Sequence, residues 1–127
     1  MVMSPNKKVV EKYMDGLSRL DRSAVLSCLT EDVERVEWAD GFPGSGVPLR
    51  GKAAFIQNID RPADVTLRTD TTRMTEEDNV VVAEGTVRIV KKEGAPATIR
   101  FCNVFEFEGG KVKRLTSFTA GEKTPLG

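Results

Sequence analysis

The feature that most constrains this chain is a change of hydrophobic period about halfway along it. Before Arg61-Pro62, apolar residues recur mainly at helical spacing; beyond it they alternate in four long segments. These segments are Val65 to Met74, Val80 to Lys91, Ala97 to Glu108 and Lys111 to Ala120, all rich in Val, Thr, Ile and Phe. The separators EEDN, KEGAP and EGG carry turn chemistry. Four successive strands joined by short turns predict an antiparallel meander, long enough to twist and curl.

The first half supplies what covers that sheet. Ser4-Pro5 reads as an N-cap serine followed by proline at the first helical position. From there Val9, Val10, Tyr13, Met14, Leu17 and Leu20 form one apolar stripe. Asp21 reads as the N-cap of a second short helix carrying Val25, Leu26 and Leu29. Thr30-Glu31-Asp32 breaks that helix, and Val33 to Trp38 reads as a short strand. The segment ADGFPGSGVPLRG is a long glycine- and proline-rich loop, and Lys52 to Ile59 a third helix. Helices gathered ahead of a run of strands predict an α+β domain of order α-α-β-α-β-β-β-β, its helices on one face of a curved sheet. At 127 residues the chain has room for one domain, with a core spanning about residues 5 to 120.

Composition narrows the chemistry. There is no histidine, which excludes a Ser-His-Asp triad, a Cys-His pair and imidazole zinc sites. Nineteen basic and nineteen acidic residues cancel, with no long like-charge block, so neither nucleic acid nor a membrane surface is the expected partner. No apolar run has signal-peptide or membrane-span length, so a cytoplasmic protein is expected. Cys28 and Cys102 lie among apolar neighbours and read as buried reduced thiols; no metal and no cofactor are expected.

Polar groups on apolar faces mark candidate sites, because they cost free energy unless they have a partner or a task. On Ala97–Glu108, Ile99, Phe101, Asn103, Phe105 and Phe107 share one face, and Asn103 is its polar member. Its amide either satisfies a neighbouring backbone group or donates to a ligand oxygen. Tyr13, the single tyrosine, lies within the first helix's apolar stripe, either as a core residue or as a donor. In the first strand Glu34, Val36 and Trp38 share one face, Arg35 and Glu37 the other. Whichever face is buried therefore carries an unusual residue; Asp40 follows as a turn residue or as a second candidate carboxylate.

The segments VVEKYMDGLSRLDRSAVLSCLTEDV, LRGKAAFIQNI and NVFEFEGGKVKRLTSF, in this order, resemble the nuclear-transport-factor-like (NTF2-like), or SnoaL-like, superfamily with its cone-shaped cystatin-like fold. The nearest mechanistic template within it is ketosteroid isomerase, a worked case of a carboxylate base beside an oxyanion hole. That resemblance implies Glu37 as base and Tyr13 and Asn103 as enolate donors. It also implies Trp38, Asp40, Phe101 and Phe105 against a small apolar substrate, and a homodimer packed through the outer sheet face. A glutamate replaces the template's aspartate and an amide its protonated acid. SnoaL-like polyketide cyclisation, by aldol closure from an acidic base, is an alternative that remains compatible, and a non-catalytic ligand-binding or protein-interaction domain is another. The dehydratases of this fold need histidines. The arginine two residues before an aspartate that marks its epoxide hydrolases is not found at Arg100, which is followed by Phe101 and Cys102.

Overall fold

A computed structural model describes residues 3–40, 43–59 and 65–121, with the side chains of 57–59 excepted. The break at Arg61-Pro62, the loop residues Gly41 and Phe42, the Ile59 side chain and the C-terminal tail lie outside the described residues.

Helices α1 (Pro5–Arg19), α2 (Arg22–Ser27) and α3 (Lys52–Ile59) accompany six strands. These are β1 (Leu29–Ala39), β2 (Leu49–Arg50), β3 (Val65–Glu77), β4 (Val80–Lys91), β5 (Ala97–Glu108) and β6 (Lys111–Gly121). Both expected caps form. The Ser4 side chain accepts from the Lys7 N–H, with Pro5 behind it, and the Asp21 side chain accepts from the Ala24 N–H. Each removes one of the unpaired donors of a helix start, worth about 1 kcal/mol. Leu20 ends α1 in a left-handed conformation, and the Asp21 N–H closes back on the Gly16 carbonyl at 2.9 Å.

The strands form one curved sheet in the order β2-β1-β6-β5-β4-β3. The meander β3 to β6 is antiparallel throughout, whereas β1 runs parallel to β6. Two expectations need correcting. Leu29 begins β1 and does not belong to α2, because it pairs with Val112 of β6 and the Cys28 carbonyl accepts the Val112 N–H. The loop after β1 also contains β2, a two-residue strand paired antiparallel with Glu34 and Arg35, so the sheet has six strands where five were expected. The α+β architecture stands.

Alternation along the strands separates an inner face, covered by the helices, from an outer one. The core joins Val10, Tyr13 and Met14 of α1, Val25 of α2 and Phe55 of α3 to Val81, Ala83, Phe101, Phe105 and Leu115 of the sheet. At Gly85 on β4 neighbouring groups approach the backbone closely. A Cβ there would overlap the Asp70 carbonyl and lie 2.9 Å from both Thr71 Cα and the Phe101 ring. Opposite it, β3 shifts register between Thr71 and Arg73, which bends the strand.

Candidate functional site

Strand pairing lines up the inner-face residues in rows. One row runs Val81, Phe105, Leu115, Arg35 and the next Ala83, Asn103, Ser117, Glu37. Residues directly opposite on neighbouring strands have Cβ atoms about 5 Å apart. Asn103, Ser117 and Glu37 therefore stand side by side on three strands, a polar row beside the fully buried Phe105 and Leu115. Asn103 and Ser117 are the buried polar residues among those described.

Tyr13 covers this region from α1. Its ring meets Phe105 edge-on at 5.5 Å between centroids and Phe55 at 6.2 Å, two contacts that fix its orientation. Burial pushes its hydroxyl up to about 12; the Arg35 cation opposes this, while Cys28 and Glu37 add to it. At neutral pH the side chain is thus a neutral O–H donor, within the electrostatic reach of both Arg35 and Glu37. The Asn103 amide donates to the Met14 sulfur at 3.7 Å. A thioether is a weak acceptor, easily exchanged for a ligand oxygen.

The carboxylate of the row is not alone. Arg35 donates through Nη2 to Glu37 Oε2 at 2.7 Å, and the two side chains are 16% and 24% exposed. Both therefore lie largely buried on the inner face and keep a fraction of their surface exposed. The Arg35 Nε is buried without a hydrogen-bond partner among the described residues.

Five of the seven sequence candidates share the inner face: Tyr13, Glu37, Phe101, Asn103 and Phe105. Trp38 and Asp40 do not join them. Trp38 points out of the other face, 49% exposed beside its register partner Phe118, because strand parity opposes it to Glu37. Asp40 is exposed at the end of β1, which leaves Glu37 as the carboxylate of the row. Cys28 is a buried thiol donating to the Ala24 carbonyl, and Cys102 is a half-buried one on the outer face.

Two polar members escaped the sequence reading. Ser117 was hidden because β6 contains an extra residue. Phe107 pairs with Val112 and Glu106 with Arg114, so the alternation breaks within the strand. Arg35 was seen to share a face with Glu37 without being counted. Arg35 stands two residues before a carboxylate, with a glutamate in place of the aspartate of the epoxide-hydrolase pattern. Among the described residues no three His, Cys, Asp or Glu side chains group as metal ligands. A separate cleft of about 500 Å³ lies between α1 and β3, over Val10, Met14, Leu67 and Met74. Met14 forms the wall between that cleft and Asn103.

Three solved structures illustrate what the fold is similar to. A protein of unknown function from Burkholderia pseudomallei, NTF2-like, is 28% identical, with 91% of this chain and 90% of that one covered and a TM-score of 0.75. An LEH-like epoxide hydrolase of M. tuberculosis has the same TM-score at 19% identity, covering 91% of this chain and 82% of its own. A candidate ketosteroid isomerase from Kribbella flavida reaches 0.71 at 19% identity, covering 97% and 83%. No curated protein matches the sequence significantly. The family model of the SnoaL-like domain matches residues 10–115, from α1 into β6 and across the whole polar row but for Ser117 at its edge. The chain belongs to the SnoaL-like domain family, with the NTF2-like fold.

Proposed function

We propose that this protein is a cofactor-independent enzyme that removes a proton next to a carbonyl of a small ring-containing substrate. Glu37 is the base, and Tyr13 and Asn103 hydrogen-bond the oxygen on which the enolate charge develops. The observation that carries this reading is the polar row Asn103–Ser117–Glu37, set in an apolar face under a neutral tyrosine hydroxyl. Within the row, the Asn103 amide donates among the described residues to a thioether, so a carbonyl oxygen would be the better partner. Tyr13 and Asn103 are buried, and low-dielectric surroundings strengthen each such hydrogen bond.

Return of the proton to another carbon would be isomerisation; attack of the enolate on a second carbonyl would be the aldol closure of a polyketide cyclase. The homodimer implied by the resemblance would bury the outer face around Trp38 and Phe118, away from the row.

Exchange of α-hydrogens for deuterium in cyclic enones and 1,3-diketones, followed by proton NMR, tests the reading without knowledge of the substrate. The wild type should exceed the buffer rate. Glu37→Gln should lose about 10²- to 10⁴-fold of that excess, and Tyr13→Phe and Asn103→Leu about 10²- to 10³-fold each. Exchange no faster than buffer across the panel would leave a ligand-binding domain. Because the Arg35–Glu37 pair could also orient a water, epoxides belong in the same panel.

A further inference from the structure

Arg35 has no role in the scheme above, yet it is the charged group in closest contact with its base. Its position is costly for folding. The guanidinium sits on the inner face in register with fully buried Leu115, where an aliphatic residue would avoid desolvation. Nor does the ion pair tie the fold together, since Arg35 and Glu37 are two residues apart on one strand. Other pairs of the sheet do bridge elements, as Glu34 does with Arg50 of β2 and Arg114 of β6. The guanidinium carries five N–H donors, of which Glu37 takes one at 2.7 Å, and the buried Nε has no partner among the described residues.

We infer that Arg35 contacts the ligand, and that the site's ligands are acidic hydroxy-carbonyl compounds, phenols or enolisable 1,3-dicarbonyls, held as anions on its guanidinium. The inference rests on the reading of Glu37 as the base and names the substrate class of that same site.

The chemistry follows from charge placement. When Glu37 takes a proton from the ligand, one C–H or O–H bond breaks and one O–H bond forms on the carboxyl. The electron pair left behind comes to rest on the ligand oxygen. Neutral Glu37 no longer competes for the guanidinium, and the new anion takes over the vacated donor. The negative charge thus moves a few ångströms around a fixed cation, and no net charge is created inside the protein. Tyr13, Asn103 and Ser117 face the same space as uncharged groups, so they can solvate the oxygen without offsetting the cation. A ligand with no acidic proton would leave Arg35 on Glu37 and gain nothing from it.

The test uses 4-nitrophenol, whose phenolate absorbs visibly and whose phenol does not, at a pH where the free probe is about half ionised. Bound to the wild type, the phenolate fraction should rise. Glu37→Gln, which removes the competing carboxylate, should tighten phenolate binding roughly 10- to 100-fold, the value of a hydrogen bond to a charged group. The double variant Arg35→Met/Glu37→Gln leaves neither charge unpaired and so protects the fold. It should lose both the gain and the preference for phenolate. A merely structural arginine would shift the melting temperature and leave the ionisation of the bound probe unchanged. Phenolate preference surviving in the double variant, no tightening in Glu37→Gln, or no binding to any of the three proteins would overturn the inference. If phenolate binds as expected while the deuterium experiment fails, the catalytic reading falls and the ligand class stands. If exchange proceeds while the double variant keeps its phenolate preference, the reverse holds.

Discussion

Tyr13 offers a direct physical test of the site, because it is the only tyrosine in the chain and its ionisation can be followed by ultraviolet absorbance without ambiguity. Burial holds its hydroxyl at about 12 in the folded protein, against an ordinary value of 10.0. The folded state therefore resists ionisation that the unfolded chain undergoes two units earlier. The associated stability is fully present below pH 10 and lost as pH rises towards 12, about 3 kcal/mol in all. At about pH 11 the unfolded chain has ionised and the folded one has not, so roughly half of that stability should already be gone. Lysines and cysteines titrate in the same range, which is why Tyr13→Phe is the reference. Urea unfolding of both proteins at pH 8.5 and pH 11 isolates the tyrosine as the change in their stability difference. Two further variants probe the neighbours. Arg35→Met should push the Tyr13 hydroxyl higher, since the cation favours tyrosinate, and Glu37→Gln should bring it down. A native tyrosine titrating near 10, or a stability difference indifferent to pH, would refute the reasoning that Tyr13 is a buried neutral donor beside this ion pair.

Three other outcomes follow. Phe105→Ala, at a fully buried position that also orients Tyr13, should cost about 3–5 kcal/mol in chemical denaturation. Gly85→Ala places a Cβ against the Asp70 carbonyl and Thr71 backbone, which cannot rotate away; a loss of about 1–3 kcal/mol in thermal or urea unfolding is expected. Trp38→Glu, on the half-exposed outer face beside Phe118, should leave the stability of the monomer within about 0.5 kcal/mol. The same variant should convert a dimer to a monomer in light scattering if a second copy covers that face.

What the sequence disclosed depended on the range of the interaction that decided each element. Ser4 and Asp21 cap their helices through bonds three residues long, so the pattern shows where α1 and α2 begin. The parity of β5 likewise exposes Asn103, because Phe101, Phe105 and Phe107 around it are all buried. Leu29 lies at helical spacing from Val25, and only its pairing with Val112, across most of the chain, makes it a strand residue. β2 has no signature of its own; two residues become a strand because Glu34 and Arg35 lie alongside them. The site divides in the same way. Tyr13, Glu37 and Asn103 stand out as polar groups on patterned elements, whereas Ser117 is concealed by the extra residue in β6. The importance of Arg35 appears once its ion pair and its unpartnered Nε are seen.

The parallel pairing of β1 with β6 has a consequence for the order of assembly. The meander from β3 to β6 closes through short turns and can form early, at small entropic cost. β1 must instead travel from the first third of the chain to dock on its last strand, and only then does Glu37 arrive beside Ser117. The carboxylate and the buried serine therefore meet in a non-local step of folding. A chain that has built its sheet but not yet seated β1 would carry Asn103 and Ser117 without a carboxylate. If the proposed reaction is catalysed, its rate would report completion of the fold, where a spectroscopic measure of strand content would report only its beginning.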